Sequence, residues 1–137
     1  MQKNFFLRAV CGESCSKGVI LSISLKNFVI FVTDLVKAKS FYVDLLGLPV
    51  AGQSEMLIEF FPGTVTTLGV SLALHEDARG LVGRHTGITL KVENIAEVCD
   101  TLRNGGVHFV EPLESSPWGK MAVVQDFDGN MLALVDR

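Results

Sequence analysis

The chain has no excess of basic charge, few cysteines and no long apolar run, and each shortage closes off a class of function. Twelve Lys and Arg stand against fifteen Asp and Glu, for a formal net charge of −3. The basic residues are scattered, whereas a nucleic-acid surface needs them clustered against phosphate. No segment approaches the ~18 uninterrupted apolar residues of a membrane span, so the sequence reads as a soluble, cytoplasmic protein with neither nucleic acid nor membrane as partner. Cys11, Cys15 and Cys99 make neither an even disulfide set nor a Cys-x-x-Cys pair, which reads as unpaired thiols in a reducing compartment. No phosphate loop, GxGxxG turn or nucleophile triad appears.

What the chain does have is a repeat. Phe28-Val-Ile-Phe-Val-Thr-Asp-Leu35 is an apolar run ending in an acidic turn, followed by Val36 to Leu46 at helical spacing and by Gly47. About sixty residues later comes Ile88-Thr-Leu-Lys-Val-Glu-Asn-Ile95, a second helical stretch to Asn104, and Gly105-Gly106. The order of strand, helix, glycine and strand is the same, and self-similarity of this kind sets the architecture. The full length of 137 residues fits one compact domain, so two half-sized modules must share a core.

The elements can be placed in order. Leu25 to Thr33 reads as a strand, and Thr33-Asp34 caps a helix whose apolar stripe runs from Leu35 to Leu46. Strands follow at Leu48 to Gln53, Met56 to Phe61 and Leu68 to His75. A polar linker carries the chain to a second set: strand Gly87 to Val92, helix Ile95 to Arg103, strand Val107 to Glu111, a loop Pro112 to Trp118, strand Lys120 to Gln125 and strand Asn130 to Val135. Asp126-Phe-Asp-Gly-Asn130 is a tight turn with too few oxygen donors for a calcium loop. The fold class is α+β: two βαβββ modules, residues 25–78 and 85–137, forming a curved, cup-like mixed sheet with helices outside. Residues 1–24 are read as an N-terminal extension, open to partial disorder.

Val32-Thr-Asp-Leu35, Ser40-Phe-Tyr42, Leu46-Gly47-Leu48, Trp118-Gly119 and Asp126-Phe-Asp-Gly-Asn130 together resemble the vicinal oxygen chelate superfamily. That group includes glyoxalase I, extradiol dioxygenases, fosfomycin-resistance enzymes and bleomycin-resistance binding proteins. The resemblance spans Leu25 to Arg137 and implies a cup around a ligand, often in a homodimer. In metal-using members four positions carry His, Gln or Glu, and they correspond here to Asn27, Leu72, Gly87 and Ala133. Catalytic zinc takes about three nitrogen or anionic oxygen ligands from the protein; Asn27 offers one neutral carbonyl and the other three offer nothing. No metal or other cofactor is expected unless His85 joins Glu59 or His75 through a shift of register.

Alternation assigns the cup interior to Asn27, Val29 and Phe31, to Val70, Leu72 and Leu74, to His85, Gly87 and Thr89, and to Met131, Ala133 and Val135. Such an apolar lining suits a small organic ligand. Trp118 reads either as a ring stacked on that ligand or as a loop anchor filling a gap. Glu59 reads as a lone cleft carboxylate or as a solvated edge residue, and of Phe60 and Phe61 one faces the cup. The leading expectation is a metal-independent binding protein of the bleomycin-resistance type, sequestering an organic compound or antibiotic. The alternatives are a metal-dependent lyase, isomerase or dioxygenase of the glyoxalase or extradiol kind, so that enzymatic activity is left open, and an association module without a ligand.

Overall fold

The structure, a computed structural model, describes residues 22–137. The extension assigned to residues 1–24 therefore lies outside the described residues except at 22–24, as do Cys11 and Cys15. Strand β1 is Asn27–Val32, helix α1 is Leu35–Lys39 and continues as a π-helical segment Ser40–Leu45, and β2, β3 and β4 are Val50–Gln53, Leu57–Phe60 and Thr67–Leu72. A short helix α2, Glu76–Arg79, leads to β5 at His85–Lys91, α3 at Ile95–Asn104, β6 at Phe109–Ser116, β7 at Gly119–Gln125 and β8 at Met131–Val135. The strands make two four-stranded mixed sheets, ordered β1-β4-β3-β2 and β5-β8-β7-β6. In each, the first strand pairs parallel with the last and the rest are antiparallel. The repeat in the sequence is thus the repeat of the fold, and neither sheet closes on itself.

Local chemistry explains the elements. The Asp34 carboxylate accepts from the N–H groups of Val36 and Lys37 at 2.8 and 3.4 Å, capping α1. Widening into a π turn, in which Leu46 N–H donates to Phe41 C=O at 2.9 Å, lets the consecutive rings of Phe41 and Tyr42 both point inward, where both are fully buried. Helix α3 buries Ile95, Cys99 and Leu102 at helical spacing. At its end a side chain on Gly105 would come within 2.7 Å of the Leu45 methyl groups, so the two modules' helices pack closely there and a larger residue would require Leu45 to shift.

Two elements differ from the sequence reading. The polar linker contains α2, and β6 runs through the segment read as a loop from Pro112. Strand β6 is an edge strand with register shifts on both sides of Glu111, and an edge tolerates a proline whose missing N–H would break a central ladder. All buried apolar side chains of both modules join one core under the helices, from Ile30, Phe41 and Tyr42 to Leu102, Leu132 and Leu134.

The modules are also joined by polar groups. The even residues of β1 turn their backbone toward β4, as Lys26 C=O and Val32 C=O accept from Thr67 and Ala73. The outer edge of β1 is met by side chains of module two and of Arg84 at the end of the linker. Arg84 Nη2 donates to Val29 C=O at 3.2 Å, Asn130 Nδ2 to Phe31 C=O at 3.0 Å, and Thr33 donates from both N–H and Oγ1 to the Asp128 carboxylate at 3.0 and 2.6 Å. These side chains therefore close the outer edge of β1, over a core shared by both modules.

Candidate ligand-binding site

Directly paired residues on neighbouring strands project to the same face of a sheet. In module one, Ile30, Val70 and Ile58 are in register and buried under the helix. Val29, Gly69 and Glu59 form the adjacent row, on the opposite, open face, as do Phe31, Ser71 and Leu57. In module two Leu90, Leu134 and Ala122 lie on the helix face, while Thr89, Ala133 and Val123 occupy the open one. With the core on one side of both sheets, the open faces, here called the trough, lie on the other.

Of the sequence-predicted site residues, Asn27, Val29, Phe31, His85, Thr89, Met131 and Ala133 have open-face register. Leu72 does not. It pairs with Val32 and packs partly buried against the core, so its assignment to the cup interior, and that of Val70 beside it, is corrected. The strand's register is set by its pairing with β1, and a slip of one residue exchanges the faces. Leu74 lies beyond β4 altogether. The open-face positions of that strand are Thr67, Gly69 and Ser71, which alternation counted from Leu72 misses.

Gly87 owes its identity to the backbone. Between His85, opposite Met131, and Thr89, opposite Ala133, β5 carries extra residues, and Gly87 sits in this bulge at φ 75° with open space where a side chain would be. Only glycine adopts that conformation at no steric cost. Thr86 stitches the bulge, its hydroxyl donating to Met131 C=O at 2.7 Å and accepting from Ile88 N–H at 3.1 Å. The His85 imidazole is drawn in as well: Nδ1 accepts from Gly87 N–H at 3.1 Å. That fixes Nε2 as the protonated nitrogen of the neutral ring.

The positions that the resemblance equates with metal ligands do not fit a divalent cation. Asn27 and Ala133 are on the open face, Gly87 lies in a bulge, Leu72 points into the core, and His85 spends its acceptor nitrogen on the backbone. Among the described residues no three His, Cys, Asp or Glu side chains are grouped to hold a metal ion. Glu59 is a half-buried carboxylate on the open face, accepting from Thr67 Oγ1 at 3.0 Å. Phe60 is fully buried near Tyr42 on the helix face. Trp118 sits at the tip of the β6–β7 hairpin with 83% of its surface exposed, which removes the gap-filling reading. With Glu114, Met121 and Val135 it borders a hollow of about 340 Å³ at the outer end of the module-two open face.

The Asp126–Asn130 turn has a role that its local pattern does not reveal. Asp126 and Asn130 are the buried polar residues of the core. One Asp126 oxygen accepts from the N–H groups of Asp128 and Asn130, both at 2.9 Å, and the other from Tyr42 Oη at 2.7 Å and Asn130 Nδ2 at 2.9 Å. Burial, then the neighbouring Asp126 carboxylate, raises the Tyr42 pKa well above the usual tyrosine range. The neutral phenol therefore supports the fold fully below pH 10, and this contribution is lost as pH climbs above 10 toward the folded-state pKa. Tyr42 is the only tyrosine, so absorbance at 295 nm reports it alone. Tyrosinate is expected to appear only as far-UV circular dichroism is lost; ionisation near pH 10 in folded protein would contradict this.

The Glyoxalase/Bleomycin resistance protein/Dioxygenase superfamily matches residues 24–134. A member of that superfamily from Sphaerobacter thermophilus DSM 20745 is 34% identical, with 84% of this chain and 98% of that chain covered at a TM-score of 0.67. TnmS3, an antibiotic binding protein from Streptomyces sp. CB03234, is 27% identical over 85% of this chain and 98% of its own, with a TM-score of 0.66. UcmS2 is 26% identical over 85% and 100%, at 0.69. No curated protein matches the chain in sequence.

Proposed function

The chain belongs to the Glyoxalase/Bleomycin resistance protein/Dioxygenase superfamily, and we propose that within it the protein acts as a metal-independent binding protein for a small organic molecule, of the kind that sequesters an antibiotic. The observation that carries this reading is the open face itself. Its rows of Val29, Phe31, Met131 and Ala133 are apolar and half-exposed, while the positions a metal would use supply no donor set. Sequestration needs buried contact area and a few orienting polar groups, with no acid, base or Lewis acid. Glu59, Asn27 and Thr89 are polar groups on that surface, and Trp118 offers an exposed ring at its end for stacking. The similarity to TnmS3 supports the same reading. No helix among the described residues is long and apolar enough to cross a membrane, and the proposal places the protein in the cytoplasm as a homodimer.

Thermal-shift titration with metal-free bleomycin and a set of polycyclic aromatic antibiotics tests the reading, alongside elemental analysis of the purified protein. At least one compound is expected to stabilise the fold by about 2.7 kcal/mol at a hundredfold excess over its dissociation constant, with or without chelator. Near-stoichiometric zinc, nickel, manganese or iron that disappears in the His85→Ala variant would overturn it in favour of a metal-dependent enzyme. A set without a single stabilising compound would favour an association module.

A further inference from the structure

A cavity of about 310 Å³ lies in the seam between the modules, with β1 and β4 on one side and β5 on the other. Its side-chain walls are Phe28, Phe61, Leu68, Ile88 and Leu90. Phe28, Ile88 and Leu90 have helix-face parity, while Thr67, Gly87 and Thr89 also line the cavity, so it runs from the helix side through the seam and opens onto the trough. Three threonines line it; the hydroxyls of Thr66 and Thr67 are already engaged, with Leu25 C=O at 2.8 Å and with Glu59 at 3.0 Å, and Thr89 remains as a polar group in an otherwise apolar lining. Val92 N–H donates to Val135 C=O, and alternation from there turns the N–H and C=O of Thr89 away from β8 toward β1. A volume near the ~300 Å³ lower end of ligand pockets selects a small molecule.

One wall is strained. Phe61 has φ 70°, an outlier for a bulky residue, and such conformations persist only where the surroundings over-determine them. Here Phe61 N–H donates to Pro49 C=O at 2.9 Å and its carbonyl accepts from Thr64 Oγ1 at 2.7 Å. The ring so held is common to this cavity and to a neighbouring one of about 580 Å³ beside Leu46, Pro49 and Val98. Phe28, in register with the buried Leu68, keeps 50% of its surface exposed and has no ring partner among the described residues.

We propose that the β1–β5 seam, which adjoins the trough at Thr67, Gly87 and Thr89, is a second binding site, for a small flat aromatic molecule bearing one hydrogen-bonding group, of the indole class. Phe28 and Phe61 stack or edge against the ring, Leu68, Ile88 and Leu90 exclude water from it, and the outward backbone of Thr89 takes the polar group. The probe is indole, titrated into the full chain and followed by methyl carbon–proton spectra. Saturable shifts are expected at Leu68, Ile88 and Leu90 with Val123 and Val135 unmoved, and Phe28→Ala is expected to weaken binding about tenfold. Phe61→Gly keeps the left-handed backbone available while opening the wall, and is expected to weaken binding by a similar factor. Absence of saturable shifts up to about 5 mM indole overturns the proposal. Shifts confined to Val123 and Val135 overturn it too, while leaving the trough reading intact. Loss of antibiotic stabilisation with the seam shifts retained would sink the trough alone.

Discussion

Replacing Asp126 by alanine is expected to lower stability by about 3 to 4 kcal/mol, more than any other single polar change in the described chain. The reason is the number of donors that converge on one carboxylate. Tyr42 Oη, Asn130 Nδ2 and two backbone N–H groups share its oxygens, and Asp126 and Asn130 are 5% and 0% exposed. Hydrogen bonds to an ionised acceptor contribute about 1.5–3 kcal/mol each, and a buried donor left without a partner carries its desolvation cost in full. Alanine orphans the Tyr42 hydroxyl and loosens a turn that also fixes Asn130, whose side chain bridges Phe31 C=O and Gly83 N–H at 3.0 and 2.9 Å. For a chain of this size the melting temperature should fall by about 10 °C or more. Asp128→Ala removes only the exposed contact with Thr33 and should cost about 1 kcal/mol. Equal losses for the two variants would show that the convergence at Asp126 contributes nothing special. The same variant separates the causes of the Tyr42 shift: burial is the larger, so Tyr42 should still resist ionisation above pH 10 wherever Asp126→Ala remains folded.

Features that depend on near neighbours along the chain are legible in the sequence. Asp34 as a cap, Gly47 after the helix, the Asp128-Gly129 turn and the alternating rows of β1 and β8 all follow from propensity and periodicity over a few residues. Features that depend on partners far along the chain are not. The face taken by Leu72 is decided by Val32, forty residues earlier in the chain, and a period of two gives no warning of a one-residue slip. Pro112 reads as a strand terminator because the sequence does not say that β6 lies at an edge. The Asp126 carboxylate reads as turn chemistry, which it is, but its bond to Tyr42 crosses 84 positions. The duplication announces that two modules meet; that Arg84, Asp128 and Asn130 close the outer edge of β1 is visible only in three dimensions. The bulge at Gly87 is a mixed case, since the glycine stands out in the sequence as a small residue that makes room, whereas its role is to turn the chain.

The joint between the modules also predicts how the protein unfolds. Phe41 is fully buried, and its ring packs edge-on against Tyr42 of its own module, at 4.8 Å and 77°, and against Phe127 of the other, at 5.7 Å and 78°. Truncation to alanine leaves a cavity at the contact of two aromatic pairs, and buried Phe→Ala changes cost about 3–5 kcal/mol. Were the modules independent, that loss would fall on module one and leave module two at its original stability. The shared core, the Gly105–Leu45 contact and the Asp126–Tyr42 bond argue that it falls on both. Amide exchange is the direct measurement, with Ile30 in β1 and Leu134 in β8 as reporters, since both side chains are fully buried and both residues are paired in their ladders, one in each sheet. In Phe41→Ala the protection of both amides should fall by the same free energy, and denaturant unfolding should remain a single transition. Protection lost at Ile30 but kept at Leu134 would mean that the two halves fold separately, and that the trough is assembled from parts that do not stabilise one another.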